Sequence, residues 1–199
     1  MRTIIGMFFS NVTPTMSIHT STITNVKLHK RESTQYMGHP GICTVTFVSG
    51  DSKVAFNSLR SKFVDVLNAN PWLGGTFNKK KELTFPSTPP PTMVDSLVFS
   101  LPHNPSITRK VPYPSLIKVI AKDPKMAVQS GTATRKAGAP ISKLVLVEGE
   151  GDGGFAIIFS LSHAAADGHD YYRIFNMWER GERSGGESEA EGETKRRGK

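Results

Sequence analysis

Two apolar runs near the end of the chain constrain its fold more than any other feature. Residues 142–148 and 155–161 are rich in aliphatic and β-branched residues, and each has the length of a β-strand. Between them, residues 149–154 comprise four glycines and two acidic residues, a composition that favours a turn. The two runs therefore predict a β-hairpin whose loop is longer than the commonest two-residue turns.

Strand and helix patterns alternate upstream of the hairpin. Residues 22–28 and 42–48 have the alternation or the β-branched content of strands. From Ser52 the period becomes helical, with Asp51 or Ser52 as the N-cap and Pro71 as the stop. The apolar face of this predicted helix consists of Val54, Leu59, Phe63, Val66 and Leu67.

The middle of the chain is harder to interpret. A turn at residues 79–81 leads into a predicted strand at 83–85, and the chain is rich in proline from Pro86 onward. A connection this long within one domain is expected to contain short elements, and residues 115–120 fit either a helix or a strand. After the hairpin, one helical face is predicted from Tyr171, Tyr172, Ile174, Phe175 and Trp178. The expected fold class is α/β, with a mixed β-sheet covered by helices.

Length and composition indicate one globular domain with extensions. The chain has 199 residues, of which 37% are hydrophobic. Residues 1–35 are interpreted as an N-terminal extension that includes the strand pattern at 22–28, and residues 36–178 as the domain. Residues 179–199 are predicted to be a disordered charged tail, because Ala190 is their only apolar residue.

The charge and composition of the chain restrict the partners and the cellular location that can be expected for it. A net charge of +8 favours anionic partners, but the basic runs at 79–81 and 195–197 lack interleaved aromatic residues, so nucleic acid is disfavoured. Because no apolar run reaches about 20 residues, no membrane span is expected. The expected compartment is the cytoplasm. An organelle-targeting segment is the alternative, since residues 1–31 contain no acidic residue and many Ser and Thr.

The single cysteine, Cys43, excludes an internal disulfide. It lies within the predicted strand at 42–48. Because free cysteines are among the most buried residues, it is predicted to be a buried thiol and not a reactive one.

The most informative local sequence is His163-Ala164-Ala165-Ala166-Asp167-Gly168, directly after the second apolar run. A histidine at a strand end is held by rigid backbone, and imidazole titrates near neutral pH, which suits proton transfer. Asp167 is expected either to face the histidine or to turn away and fix the loop through an ion pair. Gly168 is expected to allow a sharp turn through a backbone conformation closed to other residues.

The residues that follow are predicted to be structural. His169 and Asp170 are expected to cap the next helix. A metal site is disfavoured, because His163 and Asp167 would need a third ligand.

The segment from Phe159 to Gly168, with Phe175 and Trp178 after it, resembles the HxxxDG signature of the BAHD-like acyltransferases. That superfamily includes peptide-synthetase condensation domains and chloramphenicol acetyltransferase. Upstream, residues 59–67 and 70–75 resemble the helix and strand entry of the same proteins, roughly a hundred residues before the motif. The resemblance covers about residues 36–178.

The resemblance implies a chloramphenicol acetyltransferase-like half-domain that corresponds to the N-terminal half of such enzymes. His163 would be the general base for an acceptor hydroxyl or amine attacking an acyl-CoA thioester, with Asp167 and Gly168 structural. Acyl-CoA would be a co-substrate, with no permanently bound cofactor and no metal, and no residue is assigned to coenzyme A. Ser162 stands where condensation domains carry a first histidine, which favours a CoA-dependent transferase.

Three interpretations of the chain follow. BAHD-like enzymes continue into a second half that carries a D-F-G-W-G-type motif, and the sequence contains no such motif. The chain is therefore interpreted as a truncated acyltransferase that lacks its second half-domain. The alternatives are a compact trimeric acetyltransferase with its site between subunits, and a non-catalytic remnant or interaction module of the same fold.

Overall fold

A computed structural model of the chain describes residues 21–149 and 153–177. The predictions for residues 1–20, for Trp178 and for the tail at 179–199 lie outside the described residues. The strands are β1 (Ile23–Lys27), β2 (Ile42–Val48), β3 (Thr76–Phe77), β4 (Glu82–Pro86), β5 (Val98–Leu101), β6 (Ser142–Glu148) and β7 (Phe155–Leu161). The helices are α1 (Lys30–Ser33), α2 (Ser52–Ala69), α3 (Met93–Leu97), α4 (Tyr113–Lys122), α5 (Gly131–Ala137) and α6 (Gly168–Met177), and two 3₁₀ turns span Tyr36–Gly38 and Pro71–Gly74.

The larger sheet has the strand order β2-β7-β6-β5 and is mixed. β2, β7 and β6 are antiparallel neighbours, whereas β5 pairs with β6 in parallel. The predicted hairpin is confirmed as β6 and β7, in register from Ser142 opposite Leu161 to Glu148 opposite Phe155. Because helices cover both faces of this sheet, the two strands are buried along almost their whole length, which explains their apolar sequences.

A smaller antiparallel sheet, β1-β4-β3, adjoins the first. β1, which the sequence placed in the N-terminal extension, pairs with β4 along its full length, from Ile23 opposite Pro86 to Lys27 opposite Glu82. The Ile141 N–H, just before β6, donates to the Gly75 carbonyl at 2.9 Å and ties the two sheets together.

Helices cover both faces of the larger sheet. On one face, α2 and α6 bury Phe63 and Tyr171 against the strands. On the other, α4 buries Leu116 and Ile120. The expected α/β class, with a mixed sheet covered by helices, is therefore confirmed.

The long helix α2 begins where the sequence indicated. The Asp51 carboxylate accepts hydrogen bonds from the N–H groups of Lys53 at 2.7 Å and Val54 at 3.0 Å, which confirms it as the N-cap. The same bonds lower the pKa of Asp51. The prediction that Val54 lies on the buried face is wrong, because the first turn projects into solvent and leaves Val54 67% exposed.

The proline-rich middle contains α3, β5, α4 and α5, and residues 115–120 are helical. Because β5 and β6 are parallel, the chain must return from one end of the sheet to the other between them, and such a crossover takes a dozen residues or more. The length of this segment is thus a requirement of the topology. Across the described residues, none of the helices combines the length and the apolar character that crossing a bilayer requires.

Candidate active site

His163 lies two residues beyond the end of β7, which is flanked by β2 and β6. The start of its turn is fixed by hydrogen bonds. Ser162 donates its N–H to the Ile141 carbonyl at 2.8 Å, and the Ser162 carbonyl accepts from Ala165 at 3.0 Å and Ala166 at 3.3 Å. The candidate base therefore stands on one of the most firmly held strands of the molecule.

Two other rings contact the imidazole of His163. The Tyr36 ring is stacked on it, with centroids 4.7 Å apart and an interplanar angle of 16°. The His39 ring meets it edge-on, at 5.5 Å and 68°. Tyr36 and His39 also contact each other, at 5.6 Å. The sequence did not predict either residue as part of the site.

The two nitrogens of the His163 ring differ in environment. Nδ1 is buried and has no hydrogen-bond partner among the described residues. This is not the case for Nε2. Leaving a buried polar group without a partner costs about 1–3 kcal/mol. The adjacent Ser162 Oγ is buried and unpartnered in the same way. Two polar atoms at this turn are therefore held without the hydrogen bonds that usually accompany burial.

Asp167 holds the start of α6. Its Oδ1 accepts a hydrogen bond from the Asp170 N–H at 2.9 Å, the geometry of an N-cap. The alternative of an ion pair finds no support in the described residues, where the one salt bridge joins Arg60 to Asp95. The prediction that His169 and Asp170 cap the helix is wrong, because Asp167 supplies the acceptor.

The expectation for Gly168 is also wrong. Its backbone is not in the left-handed region, and a Cβ added there would meet no atom within 4 Å. Gly168 is simply the first residue of α6. An alanine would therefore fit at this position.

Asp167, His169 and Asp170 are the described residues whose arrangement could hold a metal ion. Their ligand atoms lie within 4.8 Å of one another, and Asp167 and His169 are exposed. Carboxylates are also favoured at a helix N-terminus for electrostatic reasons alone, so the cluster has a sufficient structural explanation.

Cys43 lies on β2 and is partly buried, and its burial raises its pKa to about 12. A thiol with so little thiolate at neutral pH is a poor nucleophile. This agrees with the prediction of an unreactive strand cysteine, although the side chain is partly buried and not fully buried as predicted.

A cavity of about 590 Å³ lies at the end of the sheet opposite to His163. It is lined by Phe155 and Ala156 at the start of β7, with His103, Arg109 and Lys110 around it. Since His163 follows the end of the same seven-residue strand, roughly 20 Å of chain separates the two. Cavity size alone would therefore indicate a site away from His163.

These features describe an α/β domain with a histidine at the end of a central strand, and a solved epimerization domain shares this fold. The epimerization domain from the third module of tyrocidine synthetase B matches 80% of this chain, with a TM-score of 0.52 and 9% identity. TRI101 of F. graminearum complexed with ethyl coenzyme A matches 79% of this chain, with a TM-score of 0.49 and 12% identity. A chloramphenicol acetyltransferase matches 80% of this chain, with a TM-score of 0.39 and 14% identity.

The chain spans only part of the larger matched proteins. It covers 34% of the epimerization domain and 38% of TRI101, against 97% of the chloramphenicol acetyltransferase. Neither a protein-family model nor a curated protein matches the sequence.

Proposed function

We propose that this protein is an acyltransferase that moves an acyl group from a coenzyme A thioester to a hydroxyl or amine acceptor, with His163 as the general base. One observation carries the proposal: the imidazole of the His163-to-Gly168 motif stands at the end of a central strand with one nitrogen buried. Because a fold does not determine a function, the proposal rests on this site and on the motif, and the shared fold is only compatible with it.

The reaction requires one proton to move twice. Nε2 of His163 takes the proton from the acceptor hydroxyl or amine as its oxygen or nitrogen attacks the thioester carbonyl carbon. The C–S bond then breaks, and the imidazolium returns the proton to the departing thiolate. The products are the acylated acceptor and free coenzyme A, and His163 ends neutral. A positioned base of this kind typically contributes about 10²–10⁴ in rate.

The residues around His163 have separate parts in this scheme. Of the three alanines after it, Ala164 and Ala166 are buried in the core, and the partly exposed Ala165 has a side chain too small to obstruct an approaching acceptor. Asp167 holds the start of α6 through the Asp170 N–H and exchanges no proton. The net charge of +8 suits the phosphates of coenzyme A.

The decisive experiment measures free thiol released from acetyl-CoA in the presence of small alcohols and amines. We expect acceptor-dependent release by the wild type, and a loss of about 10²–10⁴ in His163→Ala and His163→Gln. His103→Ala is the matched control, since His103 is an exposed histidine beside the cavity at the other end of the sheet. It should retain full activity.

Two outcomes would contradict the proposal. Equal thiol release by the wild type and His163→Ala would exclude His163 as the base. A wild type that is silent with every donor and acceptor would favour a fragment that needs its second half-domain, or a non-catalytic interaction module of the same fold.

An acyl thioester must be shielded from water while it reacts, and His163 is only partly covered by the described residues. We therefore infer that a second wall of the site comes from outside the described residues, and further copies of this chain are the source to test first. Specific activity that rises with protein concentration, in step with oligomer formation, would support a site between copies. Constant specific activity in a monomer would contradict it.

A further inference from the structure

Two aromatic rings, those of Tyr36 and His39, lie against the His163 imidazole. Tyr36 covers the face at 4.7 Å, and His39 meets the ring edge-on at 5.5 Å. Catalytic histidines are usually oriented by a hydrogen bond to the nitrogen that does not react. Here Nδ1 has no such partner among the described residues, so another contact has to orient the ring.

We propose that Tyr36 is the positioning residue of the site: its ring, stacked on the His163 imidazole, sets the plane in which Nε2 meets the acceptor. This role rests on the general-base function proposed above. A nitrogen lone pair lies in the plane of its ring, so a stacked neighbour restricts rotation without covering the reacting atom. A tyrosine face also attracts a cation, which favours the imidazolium that His163 becomes during the reaction.

Tyr36 can act in this way because its own position is rigid. It begins the 3₁₀ turn Tyr36–Gly38, and the next residue, Met37, is only 2% exposed. A Cβ added at Gly131, the first residue of α5, would lie 2.8 Å from the Met37 sulfur and 3.2 Å from the Ala164 Cβ. Glycine therefore lets α5 fit tightly between the 3₁₀ turn and the turn that carries His163, and it fixes the two relative to each other.

The stack is tested directly by NMR of the protein with isotope-labelled histidine. The His163 ring resonances are assigned by their loss in His163→Gln. We expect them upfield in the wild type, because the ring lies over the face of Tyr36. The upfield shift should persist in Tyr36→Phe, which keeps the ring, and disappear in Tyr36→Leu, which removes it. Gly131→Ala, which keeps the Tyr36 side chain but displaces its turn, should reduce the shift.

The catalytic consequence is read from kcat and KM in the thiol-release assay. Tyr36→Leu should lower kcat by about 10- to 100-fold with little change in KM, because misplacement of a catalytic group by about 1 Å has an effect of that size. Tyr36→Phe should keep the wild-type kcat, since the role needs the ring and not the hydroxyl. Unfolding midpoints of both variants show that the comparison is made on folded protein.

The two proposals fail in different ways. Wild-type resonances in Tyr36→Leu would overturn the stack, and an unchanged kcat after the shift is lost would overturn its positioning role. An inactive wild type would overturn the general-base function, and with it the catalytic reason for the stack. A Tyr36→Phe variant as impaired as Tyr36→Leu would overturn the ring-based role in favour of the hydroxyl.

Discussion

Substitutions of Asp167 distinguish two possible roles of its side chain, that of a helix N-cap and that of a charged partner in proton transfer. In Asp167→Ala, the Asp170 N–H loses its 2.9 Å acceptor, and the loss of an N-cap of this type costs about 0.5–2 kcal/mol of unfolding free energy. Asp167→Asn keeps an oxygen acceptor and removes the charge, so it should lose only the electrostatic contribution at the helix start, about 0.3–1 kcal/mol. For a domain of this size, 1 kcal/mol corresponds to about 2–4 °C in Tm.

The measurement is urea unfolding followed by circular dichroism, with Asp170→Asn as the control. That variant removes a nearby carboxylate but leaves the backbone N–H that Asp167 binds. We expect stability to decrease in the order wild type, Asp167→Asn, Asp167→Ala, with kcat following the same order because α6 begins at the end of the motif turn. If Asp167→Asn were as damaged as Asp167→Ala in both stability and kcat, the negative charge would be the essential property and the capping argument would be refuted.

The Tyr171 hydroxyl and the Cys43 thiol give further predictions. Tyr171→Phe should lower the free energy of unfolding by about 1–3 kcal/mol. The buried hydroxyl forms hydrogen bonds with the Phe159 carbonyl at 2.9 Å and with Thr44 Oγ1 at 2.8 Å, and the substitution removes both. A change below about 0.5 kcal/mol in thermal unfolding would contradict these bonds. Cys43 should be alkylated by iodoacetamide at pH 8 about a thousandfold more slowly in the folded protein than in urea, since burial raises its pKa from 9.0 to about 12. The same shift means that stability is fully present below about pH 9 and declines as pH rises toward 12, because only the unfolded thiol ionises; Cys43→Ala should lose part of that decline.

The sequence predicted two kinds of element: long helices with a clear apolar period, and strands that pair with the next strand along the chain. α2 has eighteen residues of helical periodicity and a recognisable cap, and β6 and β7 are consecutive apolar strands. β5 and α5 have only four and seven residues, about two amphipathic periods each, which is too short for a distinctive local pattern. What makes β5 a strand is its parallel pairing with β6, a long-range contact that no local window contains.

The candidate site divides in the same way. His163 was predicted as a site residue because the end of an apolar strand and the His163-to-Gly168 motif lie within ten residues of each other. Tyr36 precedes it by 127 positions (163 − 36), and nothing in the sequence around residue 36 marks a ring that stacks on a distant histidine. The expected need for glycine at Gly168 was wrong, whereas Gly131 is the glycine that the close approach of two turns requires.

The pairing of β2 with β7 also has a consequence for the protein during its synthesis. Ile42 lies opposite Leu161, so 119 residues (161 − 42) must be made before β2 finds its partner. At about 5–20 residues per second, β2 waits about 6–24 s as an unpaired apolar edge, a period in which such strands tend to associate with other chains. Tyr36 and His163 meet only when that wait ends, so the site is among the last parts of the molecule to form.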